Sequence, residues 1–325
     1  MSVLGMVAAL AAFEIGLRPF ASSWRERPHT RPAEVRQFYE GVAVSHFGPD
    51  SERKTGNAVR LGAPNVLILG DSHVEALQVD DSETMGAVLE RTARSQGQSI
   101  NVHQYGWSSA GAALYADVAP HLLEKWDPVR VIITLNIGDI YQGFDNPLAV
   151  RTTANTFEVV HTRAAQPEGW RKSIAAPLLS NSVLIYHLYR VTRLMQEAAD
   201  FPNGDLPSEV ELDPSLKNVP LPLIKTLKSA YGHRLLVVYD PYMSGLRLKA
   251  LDDGKVETEV LKACAVEQVA CVSTRSAFIQ DRITNKRFSR GFSNSSPDEG
   301  HWNRAGHEIM ARIMWEQLQA QKDRP

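Results

Sequence analysis

Short apolar runs recur along the chain, separated by longer stretches in which apolar residues return every three or four positions. Val66-Leu67-Ile68-Leu69 reads as a short buried strand, and Gly70-Asp71 ends it where a helix can begin. Glu83 to Gln96 then reads as a helix with Met85, Val88, Leu89 and Ala93 on one side. Ile100 to Gln104 reads as a strand, Ala110 to Lys125 as a helix and Val129 to Leu135 as a strand. After a long interruption, Arg234 to Tyr239 restores the strand pattern and Val256 to Gln268 the helical one. Ala270 to Ser273 is a fifth short strand, Arg275 to Pro297 a polar loop, and a last helix from about Arg304 turns Ile309, Met310, Ile313, Met314 and Leu318 inward. Strands alternating with helices predict right-handed crossovers and a parallel sheet covered on both faces. Ligands collect at the C-terminal ends of such strands.

The pattern breaks in two places. Met1 to Phe13 is almost wholly apolar and continues through Ile15-Gly16-Leu17, interrupted by Glu14. Residues 1–18 read as an uncleaved signal anchor, with a signal-peptide core and a helix packed on the domain as the alternatives. The expectation is a membrane-anchored chain whose domain faces the periplasm or exterior. Arg18, Arg25, Arg27 and Arg31 follow the apolar run, and positive charge on that flank favours the cytoplasmic side. Residues 19–64, rich in proline and charge, read as a tether or wrap leading into a domain over 65–325. Tyr141 to Pro222 reads as an insertion or lid. It holds short strands near Thr156 to Thr162, a covering helix over Trp170 to Glu197, and a proline-rich linker or surface loop from Phe201. Trp170, Tyr186 and Tyr189 could face a sugar, although packing of amphipathic aromatics is the commoner use.

Composition narrows the function. The 325 residues, 43% apolar and 22% charged, are those of an ordinary globular protein, and a net charge of −2 supplies no basic field for nucleic acid. Cys264 and Cys271, seven apart, fit no common zinc pattern; a disulfide and two free buried thiols both remain open. His301 and His307, six apart, suit neither one helical face nor a zinc pattern, so no metal and no cofactor is expected.

The chemistry begins at Ser72. A serine at a strand-to-helix corner projects its hydroxyl beyond the sheet, beside the backbone N–H groups of the turn, which suits a nucleophile and its oxyanion. Gly70-Asp71-Ser72-His73 resembles the first motif of the SGNH (GDSL-type) hydrolase family, and Glu75-Ala76-Leu77-Gln78-Val79-Asp80-Asp81 is similar to the loop that follows it in bacterial members. Gln104-Tyr105-Gly106-Trp107-Ser108-Ser109 resembles the second, in which a glycine N–H enters the oxyanion hole; Gly106 matches. Asn136-Ile137-Gly138-Asp139 resembles the third through Asp139, but Gly138 stands where the family has an asparagine. Side chains alternate along a strand, so Asn136, one step back on the same face, could supply an amide in its place, with a structural asparagine as the alternative. Asp298-Glu299-Gly300-His301 followed by Asn303-Arg304-Ala305-Gly306 resembles the last, in which histidine is the general base and aspartate orients it.

The resemblance implies a flavodoxin-like three-layer α/β/α sandwich with a parallel five-stranded sheet. It implies a triad of Ser72, His301 and Asp298, and oxyanion donors at Ser72 and Gly106, to which strand alternation adds Asn136 as a candidate third. The function it implies is a serine esterase acting on small acyl esters, acetyl foremost, of cell-envelope or exported carbohydrate. An O-acyltransferase using the same residues is the alternative. A catalytically silent carbohydrate-binding or assembly protein is the rival from another class, motivated by Gly138.

Overall fold

The computed structural model describes residues 12, 33–37, 40–144, 148–152, 157–161, 219–244, 249–250, 254–293, 295 and 298–322. The chain divides into two compact units, and one of them, Pro28–Thr162 with Asp213–Pro325, carries every element below. The expected anchor over 1–18, apart from residue 12, and the expected helix Trp170 to Glu197 lie outside the described residues.

A hairpin of β1 (Glu34–Gln37) and β2 (Ala43–His46) precedes the sheet. Then follow β3 (Asn65–Gly70), α1 (Ser72–Glu75), α2 (Met85–Ser95), β4 (Asn101–Gly106), α3 (Ala112–Asp117), α4 (Ala119–Trp126), β5 (Arg130–Asn136) and α5 (Ile137–Gln142). A second hairpin pairs β6 (Leu148–Thr152) with β7 (Phe157–His161). After α6 (Pro220–Tyr231) come β8 (Leu235–Asp240), the small antiparallel pair β9 (Met243–Ser244) and β10 (Lys249–Ala250), α7 (Lys255–Val266), β11 (Ala270–Ser273), α8 (Arg275–Asn285) and α9 (Arg304–Lys322).

The central sheet runs β11-β8-β5-β3-β4, and all its pairings are parallel. In order of appearance this is 2-1-3-4-5, the flavodoxin-like order, whose switch point lies beside the first strand. The expected sheet is therefore present, and β3, which leads into Ser72, stands at the switch. Val66 to Leu69 and Leu235 to Val238 are fully or almost fully buried because helices cover both faces, which is why these strands read as unbroken apolar runs. Helices α2 and α9 close one face, with Met85, Leu89, Met310 and Met314 in a common core with Ile68 and Leu236.

Several expectations are corrected. The helix expected over Ala110 to Lys125 is broken at Val118, because Pro120 has no N–H to continue the ladder. The loop expected over Arg275 to Pro297 contains α8, and the loop expected up to Pro222 gives way to α6, whose Pro220 and Pro222 sit in its first turn. The membrane-anchored localisation also falls: among the described residues no helix is long and apolar enough to cross a membrane. Cys264 and Cys271 are both free thiols, in hydrogen-bond contact across the turn from α7 to β11.

The segment 19–64 is more than a tether. Asp80 Oδ1 accepts from Val44 N at 2.9 Å, and Asp81 accepts from His46 N at 3.0 Å and from the buried Arg53 guanidinium. Arg53 also donates to Val79 O at 2.8 Å. These bonds fasten the first hairpin to the loop after α1.

Candidate active site

Ser72 is the first residue of α1. Asp71 precedes it as the N-cap, its side chain accepting from His73 N at 2.9 Å. At the first helical position the Ser72 N–H has no partner within the helix. The helix sits unusually close to β4: a Cβ built on Gly106 would lie 1.9 Å from Glu75 N and 2.4 Å from Val74 C. Glycine at 106 thus lets the serine-bearing helix settle on the neighbouring strand.

That role displaces the one expected for Gly106. Gln104 O accepts from Arg53 N on the outer edge of β4, whereas Trp107 N donates to Gly70 O on the β3 side. Alternate residues of a strand turn their polar groups to alternate sides, so the Gly106 N–H faces the outer edge with Gln104, away from Ser72.

The serine hydroxyl meets His301, Oγ to Nε2 at 2.8 Å. His301 Nδ1 lies 2.6 Å from Glu40 Oε2, and His301 N donates to Glu40 Oε1, also at 2.6 Å. A carboxylate accepts, so Nδ1 carries the proton and the Nε2 lone pair is turned to the serine. Burial pushes the Glu40 carboxyl up, but the hydrogen bonds and charge of His301 outweigh it and hold the group below its ordinary value.

The carboxylate on His301 is therefore Glu40, not Asp298. Asp298 is buried, adopts φ 65° and donates its N–H to Arg290 O at 3.1 Å. Glu40 enters from the turn between β1 and β2, beside Gly41 at φ 79°. A Cβ on Gly41 would come 2.4 Å from Gln78 O, so only glycine lets this turn close on the chain after α1. Gly300 makes room on the other side, since a Cβ there would lie 2.1 Å from Glu40 Oε1.

Asn136 ends β5 with both halves of its amide engaged. Its Oδ1 accepts from Gly138 N at 2.7 Å and Asp139 N at 3.3 Å, capping α5, and Asp139 accepts from Asn136 N in return. Its Nδ2 donates to Asp71 Oδ2 at 2.8 Å, which leaves one amide proton beyond that bond. Asp139 is buried, takes a bond from Tyr115 at 3.0 Å, and is pushed well above the usual carboxylate range by burial and by Asp71. Asp71, although burial opposes it, is held well below that range by His73 and Asn136.

A buried ion pair lies beneath the serine and histidine. Arg290, 0% exposed, bonds Asp240 at the end of β8, Gly300 O at 2.9 Å and His73 Nε2 at 2.9 Å. Tyr242 accepts from Gly300 N at 2.9 Å, and its ring lies under the Arg290 guanidinium at 4.0 Å. Sequence reasoning missed Glu40, Arg290, Asp240 and Tyr242. Glu40-Gly41 between two alternating stretches was the available hairpin signal; nothing in spacing marked Arg290. Among the described residues no group of His, Cys, Asp and Glu is arranged to hold a metal ion.

No family model matches the chain, and no curated protein matches it. Solved structures similar to it include an acetyl xylan esterase at 12% identity and TM-score 0.42, covering 78% of this chain and 99% of that one. Another is a two-domain esterase active on acetylated mannans, at 12% identity and TM-score 0.44, covering 79% of this chain and 49% of that one. An acetylxylan esterase from Geobacillus stearothermophilus, at 13% identity and TM-score 0.43, covers 80% of this chain and 96% of that one.

Proposed function

We propose that the chain is a serine ester hydrolase of the SGNH type in which Ser72, His301 and Glu40 form the triad. The observation that carries this reading is the unbroken line from Ser72 Oγ through the imidazole to Glu40, at 2.8 and 2.6 Å. Ser72 attacks the ester carbonyl while His301 Nε2 takes the hydroxyl proton. Glu40 fixes the tautomer and stabilises the imidazolium. The tetrahedral oxyanion is met by the Ser72 N–H, with the remaining Asn136 amide proton as a second donor; Gly106 takes no part.

Collapse of that intermediate breaks the bond to the alkoxy oxygen, which leaves with the proton from His301. Water then attacks the acyl-serine, His301 takes its proton, and a carboxylic acid departs as Ser72 recovers its hydrogen. The substrate class we propose, a small acyl ester of a carbohydrate, rests on the sequence resemblance. A hydroxyl in place of water would make the same machinery an acyltransferase.

A fluorophosphonate probe tests the reading. Stoichiometric labelling lost in Ser72→Ala, with parallel loss of p-nitrophenyl acetate hydrolysis, is the expected result. A folded wild-type chain that is never labelled would falsify it. Acetyl transfer to an oligosaccharide acceptor, at the expense of acetate release, would move the assignment from hydrolase to transferase.

A further inference from the structure

His73 is the last member of the Gly-Asp-Ser-His tetrad, and the triad makes no use of it. The imidazole is buried, 8% exposed, and sandwiched among other rings. His301 lies at 4.9 Å between centroids, Trp302 at 4.7 Å and Tyr242 at 6.1 Å. Its hydrogen bonds leave no choice of tautomer. Arg290 can only donate, so the Nε2 it faces at 2.9 Å must hold a lone pair; Nδ1 then carries the proton and donates to Asp71 Oδ1 at 3.2 Å.

The same guanidinium nitrogen donates to Gly300 O at 2.9 Å. Gly300 immediately precedes His301, and His73 immediately follows Ser72. One nitrogen therefore spans the two residues flanking the nucleophile and the base, while the other is tied to Asp240.

We propose that Arg290 and His73 form a latch that fixes the spacing of Ser72 and His301, and that the latch closes only while His73 is neutral. The inference rests on the triad reading above. Both are positioning residues acting through their neighbours. Protonated His73 would turn an N–H toward the N–H of Arg290 and set two cations together, opening the latch from the nucleophile's side. The charged and titratable groups around His73 are Asp71 on its own helix, Arg290 with Asp240 behind it, the His301 ring, and the Tyr242 hydroxyl. Glu40 and His307 are within electrostatic reach. Burial, with Arg290 and His301 adding to it, holds the imidazole below its ordinary value despite Asp71, so the latch stays closed into mildly acid solution.

The test compares His73→Gln and His73→Leu in the full chain, with kcat and KM for p-nitrophenyl acetate followed from about pH 4 to about pH 9. Gln offers Arg290 an oxygen that does not titrate; Leu offers nothing. A misplacement of about 1 Å costs on the order of a hundredfold, so His73→Leu is expected to lose at least about tenfold in kcat with KM little changed. His73→Gln is expected to keep kcat within about threefold of wild type. Its acid limb should carry one proton fewer than the wild-type limb. Equal kcat in the two variants, or an acid limb in His73→Gln that superposes on wild type, overturns the latch. Should His73→Leu fail to fold, the slope of His73→Gln alone decides. Ser72→Ala is measured alongside: an unchanged rate there overturns the triad reading and the latch together, whereas an inactive Ser72→Ala with indistinguishable His73 variants overturns the latch alone.

Discussion

Glu40 grips His301 with both carboxylate oxygens, one on the ring Nδ1 and one on the backbone N–H, across 261 positions of sequence. The double contact fixes the ring's rotation and the loop that carries it. Removing the charge while keeping the shape should therefore separate Glu40 from Asp298. An acid-to-amide change at a triad carboxylate costs on the order of ten-thousandfold in kcat, because the wrong tautomer is stabilised. We expect Glu40→Gln to show a loss of that order and Asp298→Asn to stay within about tenfold of wild type. Steady-state esterase kinetics on both variants, with melting curves to confirm folding, check this. A larger loss in Asp298→Asn would return the acid role to the aspartate.

Gly300→Ala places a methyl where Glu40 Oε1 now lies and forces a side chain into φ 76°. The backbone strain costs about 1–2 kcal/mol, a small part of the whole stability, but the displaced carboxylate should cost most of the activity. Because both changes act on one contact, adding Glu40→Gln to Gly300→Ala should lower kcat little further. Additive losses in the double-mutant cycle would show that Gly300 acts elsewhere.

Gly106→Ala tests the seat of α1. The new Cβ meets backbone, not a flexible side chain, so the helix must lift. Overpacking of this kind costs about 1–3 kcal/mol. Since the element that moves carries Ser72, kcat should fall together with the melting temperature. A variant as active and as stable as wild type would disprove the close packing.

The buried histidines set a pH dependence of stability. Burial first, and after it the electrostatic influence of His73, Arg53 and His301, push His307 from 6.5 down to about 3. As pH falls below 6.5 the unfolded chain takes up a proton that folded His307 refuses, so stability drops progressively toward about pH 3. Glu40 adds a loss at lower pH: its folded value lies below 4.5, so its contribution is complete above 4.5 and disappears as pH falls through the folded value. The melting temperature should therefore decline between about pH 6.5 and about pH 4, and less steeply in His307→Gln. Differential scanning calorimetry across that range measures both; parallel curves would exclude His307.

The sheet was readable because its strands are buried on both faces and leave unbroken apolar runs, as at Val66 to Leu69 and Leu235 to Val238. Ser72 and His301 were readable because their motifs are local. Glu40 was not, since its partnership depends on a hairpin turn closing onto a loop that comes near the end of the chain. The missed helix α8 buries Phe278 and Asp281 among polar neighbours, too sparse an apolar face for periodicity to register. Helix α6 was hidden by its own prolines, which break a helix interior yet suit a first turn.

The turn that carries Glu40 is joined to the rest of the domain through Asp80, Asp81 and Arg53, and it belongs to none of the strands of the main sheet. Its closure onto His301 completes the longest-range contact of the site, one that a folding chain makes at high entropic cost and gains nothing from until the sheet is in place. Competence and foldedness are thus separable properties here. A chain carrying Glu40→Gln would retain every strand of the sheet together with the proposed nucleophile and base, and would resemble wild type by circular dichroism, while lacking the carboxylate that orients its imidazole.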